Sequence, residues 1–185
     1  MDERVTYLLV DGENIDATLG NSILQRRPAP SERPRWERPL QHLRTEWDQP
    51  VTGLFFLAAS DGELPLPFVQ ALTAIGYRII PLSGTPDQKV VDIAIQRTLV
   101  ALRGRNADVV LASHDRDFLV DLEALIDGRR VGLIGFEEFM SAGLRDLRAR
   151  GVQFFDLESH VGAFNERLPR LRIIPIDDFD PEDYL

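Results

Sequence analysis

The sequence predicts a three-layer α/β/α domain built on a mainly parallel sheet of about five to six strands. Three observations predict it: short apolar runs recur along the chain, segments of helical spacing lie between them, and no internal repeat intervenes. The first run, Val5–Val10, ends on Asp11-Gly12 and reads as a buried strand. Similar runs follow at 51–58, 77–82, 107–112, 130–136 and 152–155. Between them, Phe68, Leu72 and Ile75 share one helix face, and Val91, Ile95, Leu99 and Leu102 share another. Phe118, Leu122 and Leu125 form a third face, with Phe139, Leu144 and Leu147 a looser fourth. Such alternation favours parallel pairing, because each return to the sheet is made through a crossover helix.

Two stretches break the rhythm. Residues 26–39, RRPAPSERPRWERP, hold four prolines, five arginines and two glutamates, and read as an extended, solvated insertion before a helix near 39–47. The last thirteen residues, IIPIDDFDPEDYL, carry five acids and no base. The folded domain is therefore expected over 1–164 and an acidic tail over 165–185. Such a tail suits a protein partner, or could fold back on the arginines and compete with RNA.

Composition narrows the chemistry. A chain of 185 residues, 44% apolar and 28% charged, fits one soluble domain able to bury its own core. The absence of cysteine excludes disulfides, thiol nucleophiles, zinc–thiolate sites and iron–sulfur clusters. Three histidines are too few for a histidine-rich metal centre, so any metal is expected to be Mg²⁺ or Mn²⁺ held by oxygen. A net charge of −9 argues against indiscriminate binding to nucleic acid. No run of eighteen apolar residues occurs, and Met-Asp-Glu-Arg is unlike a secretion signal. The expected setting is the cytoplasm, with no membrane involved.

The informative acids stand where strands end. Asp11 follows the first strand, Asp115 and Asp117 follow the fourth, and Asp92 opens the helix after the third. In a parallel α/β sheet, groups that act on ligands lie at the carboxyl ends of strands, near the switch in strand order. With the order 3-2-1-4-5, strands one and four are neighbours and these acids face one crevice. Lys89, the single lysine, lies three residues before Asp92 and so on the same helix face. Crowded carboxylates repel unless a cation compensates, and oxygen ligands with positions left for water suit Mg²⁺ or Mn²⁺. The plainer reading is that Asp11, Asp115 or Asp117 caps a helix and Asp92 complements a helix dipole. Spacing alone leaves both readings open.

Val10-Asp11-Gly12-Glu13-Asn14-Ile15, Lys89-Val-Val-Asp92 and Ser113-His-Asp115-Arg-Asp117-Phe118, in that order and spacing, resemble the NYN domain family. That family belongs to the PIN-like nucleases and includes the LabA-like proteins; the resemblance covers about residues 4–156. It implies a PIN-like α/β/α fold and a metal-dependent ribonuclease site. By the same resemblance, Asp11, Asp92, Asp115 and Asp117 are catalytic and metal-holding positions, and Asn14 orients water or phosphate. Three positions depart from the family's pattern: Val90 and His114 stand where glycine is usual, and Thr98 where another aspartate is common.

Other features are weaker. Ser113-His114-Asp115 cannot act as a catalytic triad, because successive side chains at a strand end point in alternating directions. Gly84-Thr-Pro-Asp-Gln-Lys89 lacks the glycine that precedes the lysine of a phosphate-cradling loop, and no G-x-G-x-x-G follows the first strand. A haloacid-dehalogenase-type phosphatase would need an aspartate at Glu13 and a hydroxyl residue soon after, and has neither. Lys89 is expected to offset phosphate charge and Arg116 to touch an RNA backbone. Arg26, Arg27 and Arg35 around Trp36 read as an RNA-guiding arm, since arginine contacts phosphate and an aromatic stacks on an unpaired base. Against that stands a solvated loop whose tryptophan packs onto the body. The expected activity is RNA phosphodiester hydrolysis, with a non-catalytic RNA-binding adaptor as the alternative. The expected partners are RNA, a protein at the acidic tail, and a second copy of the chain.

Overall fold

Six strands make one sheet: β1 (Val5–Asp11), β2 (Val51–Ala58), β3 (Tyr77–Leu82), β4 (Ala107–Ala112), β5 (Val131–Gly135) and β6 (Gln153–Asp156). The structure is a computed structural model, and it describes residues 4–59, 61–170 and 174–185. The strand order is β3-β2-β1-β4-β5-β6, and every neighbouring pair is parallel. The three-layer α/β fold read from the alternation is therefore present, with β6 extending the order inferred for the first five strands.

Alternating side chains divide the core in two. Leu8 and Val10 face a cluster that includes Ile15, Leu40, Trp47 and Leu72. These come from α1 (Gly12–Thr18), α2 (Glu37–Trp47) and α3 (Leu66–Ala74). Leu9 faces the other cluster, with Ile95, Leu99, Leu122 and Leu144 from α4 (Val90–Leu102), α5 (Leu119–Glu123) and α6 (Ala142–Asp146). Helices on both faces explain why all six residues of β4 are buried and why, Asp108 aside, it reads as an apolar run. Glycine permits a close approach of α2: a Cβ at Gly53 would lie 2.5 Å from the Tyr77 ring and 2.9 Å from Leu40.

The Arg/Pro stretch corrects an expectation. Residues 26, 27 and 29–31 are exposed, but the stretch is not a free arm: its tryptophan packs onto the body, as the alternative reading expects. Trp36 is 6% exposed and meets the Phe55 ring edge-on, with centroids 5.2 Å apart. Its carbonyl accepts a 2.8 Å hydrogen bond from the buried Tyr77 hydroxyl. Arg26 is held by Glu32, Arg33 by Asp16, and Arg38 by the carbonyls of Gly162 and Phe164 and by Asn165. Trp36 is thus unavailable for stacking on a base, and Arg26 already has a carboxylate partner. Toward the other end, Leu168 remains buried on the body. Of the acidic stretch, residues 171–173 lie outside the described residues; beyond them, Asp183 and Tyr184 meet Arg167. No helix among the described residues is long and apolar enough to cross a membrane.

Candidate metal centre

The chain leaves β1 toward one face of the sheet, and α4 returns to β4 from the other, so the carboxyl ends of β1 and β4 flank the switch in strand order. The register pairs Val10 with Ala112, which sets the next residues, Asp11 and Ser113, side by side. Ser113 Oγ donates to Asp11 Oδ2 at 2.9 Å and accepts from the Asp115 N–H at 3.2 Å. Asp11 Oδ1 accepts the Asn14 N–H that opens α1, at 3.4 Å. Asp115 Oδ1 accepts the Asp117 N–H at 3.0 Å, starting the 3-10 turn Arg116–Phe118. Both acids cap helical turns and both face the crevice, so the plain and the functional readings of these positions coexist.

Asp92, in the first turn of α4, completes a trio with Asp115 and Asp117. Each presents one carboxylate oxygen, and these oxygens lie within 4.8 Å of one another. Asp11 stands beside the trio rather than in it, sharing with Asn14, Asp92 and Asp115 the wall of a crevice of about 450 Å³. Lys89 Nζ lies 3.4 Å from Asp117 Oδ2 and 3.6 Å from Asp92 Oδ2 while remaining 70% exposed. In this state the lysine offsets carboxylate charge rather than phosphate charge. Arg116 is exposed, with no side-chain partner among the described residues.

Burial sets the electrostatics. Asp11 is 3% exposed, and its carboxyl is pushed up to about 6, chiefly by desolvation. Hydrogen bonds from Ser113 and Asn14 oppose that shift, and the charges of Asp92 and Glu13 add to it. Asp92 is also raised, first by burial; Lys89 pulls it down, and Asp115 and Asp117 push it up. The Lys89 ammonium is held above its ordinary range by its hydrogen bond to Asp117 and by the neighbouring acids.

His114 has a positioning role that spacing did not reveal. Its Nε2 accepts the Phe136 N–H at 2.8 Å, so the proton of the neutral ring sits on Nδ1. Nδ1 lies 2.9 Å from Asn14 Oδ1 and 3.1 Å from Thr18 Oγ1, and the His114 backbone N–H donates to the same Asn14 oxygen at 2.9 Å. Asn14 therefore spends its carbonyl on His114, leaving its amide N–H groups as what it can offer a ligand. Burial lowers the His114 ring to about 4, against an opposing pull from Asp156. The signal for Ser113 and His114 was present in the Ser-His-Asp sequence; it meant cross-strand bracing instead of a relay. Thr98 satisfies its hydroxyl within α4, donating to the Ala94 carbonyl at 2.8 Å.

The donor set fits a hard divalent cation. Three carboxylates converge with an exposed ammonium between two of them, and a fourth, buried carboxylate stands close by with no cationic partner among the described residues. Oxygen ligands facing an open crevice are what Mg²⁺ and Mn²⁺ accept while keeping bound water.

Comparison with known proteins bears on the fold alone. No protein-family model matches the chain, and no curated protein does. Among solved structures, the chain is similar to a protein of unknown function, VPA0982 from Vibrio parahaemolyticus RIMD 2210633. That match has a TM-score of 0.67 at 16% identity and covers 86% of this chain and 97% of that one. YcaC from Pseudomonas aeruginosa is also matched, at 18% identity over 87% of this chain and 80% of its own. Its TM-score of 0.38 is too low to carry an argument.

Proposed function

We propose that the chain is a metal-dependent ribonuclease that hydrolyses RNA phosphodiester bonds at the crevice between β1 and β4. The observation that carries the reading is the Asp92–Asp115–Asp117 trio, gathered at the switch point with buried Asp11 alongside. The resemblance of the three motifs to the NYN domain family supports it. Asp92, Asp115 and Asp117 would hold one or two Mg²⁺ or Mn²⁺ ions, with the charge of Asp11 reinforcing theirs. Such an ion supplies Lewis acidity toward a phosphate oxygen and lowers the pKa of a bound water. Asn14, with its carbonyl committed to His114, donates its amide to a non-bridging phosphate oxygen. Lys89, freed from Asp117 and Asp92, then turns to the phosphate. In the hydrolysis, water oxygen bonds to phosphorus, the bond to the leaving oxygen breaks, and that oxygen gains a proton. The cytoplasmic setting expected from the sequence belongs to the same proposal.

Turnover of labelled RNA with Mn²⁺ tests it. Asp11→Asn and Asp115→Asn should each slow cleavage by at least about tenfold, since losing even an outer partner of a metal site costs 10–100-fold. Equal rates in both variants and the parent would assign the activity to another site. One observation favours the adaptor reading: Lys89 already supplies a cation to Asp92 and Asp117. Calorimetry with Mn²⁺ separates the two, because an adaptor binds RNA without binding the ion or cleaving.

A further inference from the structure

A second cavity, of about 670 Å³, opens beside the acidic crevice, and Glu13 lines both. Its floor includes Gly12 and the Phe55 ring, which come close because a Cβ at Gly12 would lie 2.6 Å from that ring. One wall is α3, with Phe68 and Ala71; the other is the folded Arg/Pro stretch from Pro30 to Glu37. The walls are mostly apolar and rich in ring faces and prolines, and the volume lies in the range that holds a small planar ligand.

Charge at the mouth narrows the occupant. Arg33 is spent on Asp16, but the side chains of Arg27 and Arg35 have no partner among the described residues. Glu13 and Glu37 lie on the same rim, so the rim offers donors and acceptors together without a strong net charge. That combination suits a flat aromatic body with hydrogen-bonding edges and an attached phosphate. It suits an acidic peptide less well, because such a peptide would meet both carboxylates.

We propose that this cavity is a subsite for one unpaired nucleotide of a single-stranded RNA, its base against Phe68 and its phosphate at Arg27 and Arg35. The Arg/Pro stretch then serves RNA as the wall of a pocket and not as a guiding arm. A base held in a stacked duplex cannot enter, so the subsite selects single strands next to the acids. The inference rests on the ribonuclease reading only for its choice of RNA, and its test is made without cleavage.

The test measures binding of the full chain to fluorescein-labelled decanucleotides in EDTA, by fluorescence anisotropy. The oligonucleotides are a mixed-sequence single strand, its abasic counterpart, and its duplex. Ala71→Trp fills the cavity from an exposed helix position, and the pair Arg27→Ala and Arg35→Ala removes the two unpartnered cations. Each should weaken single-strand binding about tenfold with unchanged melting temperature, the scale of one lost base-stacking contact. The abasic strand and the duplex should bind the parent about tenfold more weakly. Parental affinity in both cavity variants, or equal binding of the abasic strand, would overturn the subsite. So would a peptide of residues 174–185 that binds in place of RNA and is blocked by the same variants. Weakened binding without any Mn²⁺-dependent cleavage by the parent keeps the subsite and removes the nuclease. Cleavage by cavity variants at parental KM does the reverse.

Discussion

Asp108 and Asp11 are both buried, 1% and 3% exposed, at opposite ends of the sheet's central strands. At the amino end of β4, Asp108 is met by Arg4 at 2.9 Å, Arg130 at 3.0 Å and the Gln49 amide at 2.9 Å. At the carboxyl end of β1, Asp11 has a hydroxyl and a backbone N–H but no cation among the described residues, and other carboxylates nearby. Both are aspartates close to central strands, and only their neighbours differ. A buried carboxylate between two guanidiniums is a structural tie. A buried carboxylate among carboxylates is a site that a cation would stabilise.

The strongest way to break this contrast is to remove each charge in turn. Asp108→Ala leaves two guanidiniums facing the gap, and losing one partner of a buried pair costs 3–5 kcal/mol. Because Arg4 and Arg130 keep 40% and 43% exposure and can rehydrate, the low end, about 3 kcal/mol, is expected from urea denaturation. An unchanged midpoint would mean that the tie is decorative.

Asp11→Asn should act in the opposite direction. A carboxyl raised from 3.8 to about 6 holds its proton more tightly in the folded state, so its contribution is present below pH 3.8 and lost as pH rises through 6. Above pH 6 the ionised group therefore costs stability, up to about 3 kcal/mol at 1.36 kcal/mol per pKa unit. Removing the charge should raise the melting temperature at pH 7.5 and leave it unchanged below pH 4. Mn²⁺ should reproduce the gain in the parent and add less in the variant, which keeps the trio but lacks the Asp11 charge. A variant that melts below the parent at pH 7.5 would contradict the proposed cost.

His114 sharpens the same comparison. Its folded pKa of about 4 lies below the ordinary 6.5, so its contribution is present above pH 6.5 and lost as pH falls through 4. Between pH 6 and 4.5 this slope opposes that of Asp11, and the two nearly cancel in the parent. Asp11→Asn removes one of them, and it should lose about 2 kcal/mol more than the parent over that interval. Parallel pH profiles for the two proteins would show that the groups are not opposed.

The smallest expected effect is at Lys89. Lys89→Met removes the ammonium that bridges Asp92 and Asp117, and should tighten Mn²⁺ binding a few-fold with little change in folding, because the side chain is largely exposed. Unchanged affinity would mean that the lysine does not compete for the trio.

Much of the fold was legible because apolar runs covered on both faces leave few alternatives. The six expected strand segments correspond to β1 through β6 within a residue or two. Strand order put Asp11 beside the loop that carries Asp115 and Asp117, since the carboxyl ends of neighbouring parallel strands meet, whereas Asp92 joins that loop only through the packing of α4. The Arg/Pro stretch was not legible in the same way. Its prolines and charges fit a solvated arm as well as a wall, and only the space beside Phe55 and Tyr77 decided that Trp36 would be buried. His114 was equally ambiguous, because its role depends on the Phe136 N–H, 22 residues away in sequence.

By itself, then, the chain's order of apolar and acidic residues determined a parallel sheet and a rim of aspartates on it. Periodic burial and strand direction are local rules, and they act on every residue alike. Tertiary structure alone decided which aspartates found arginines, which side chain holds Asn14, and that a charged loop closes a cavity. Those outcomes depend on partners distant in sequence, whose distances and desolvation exist only after the chain has folded.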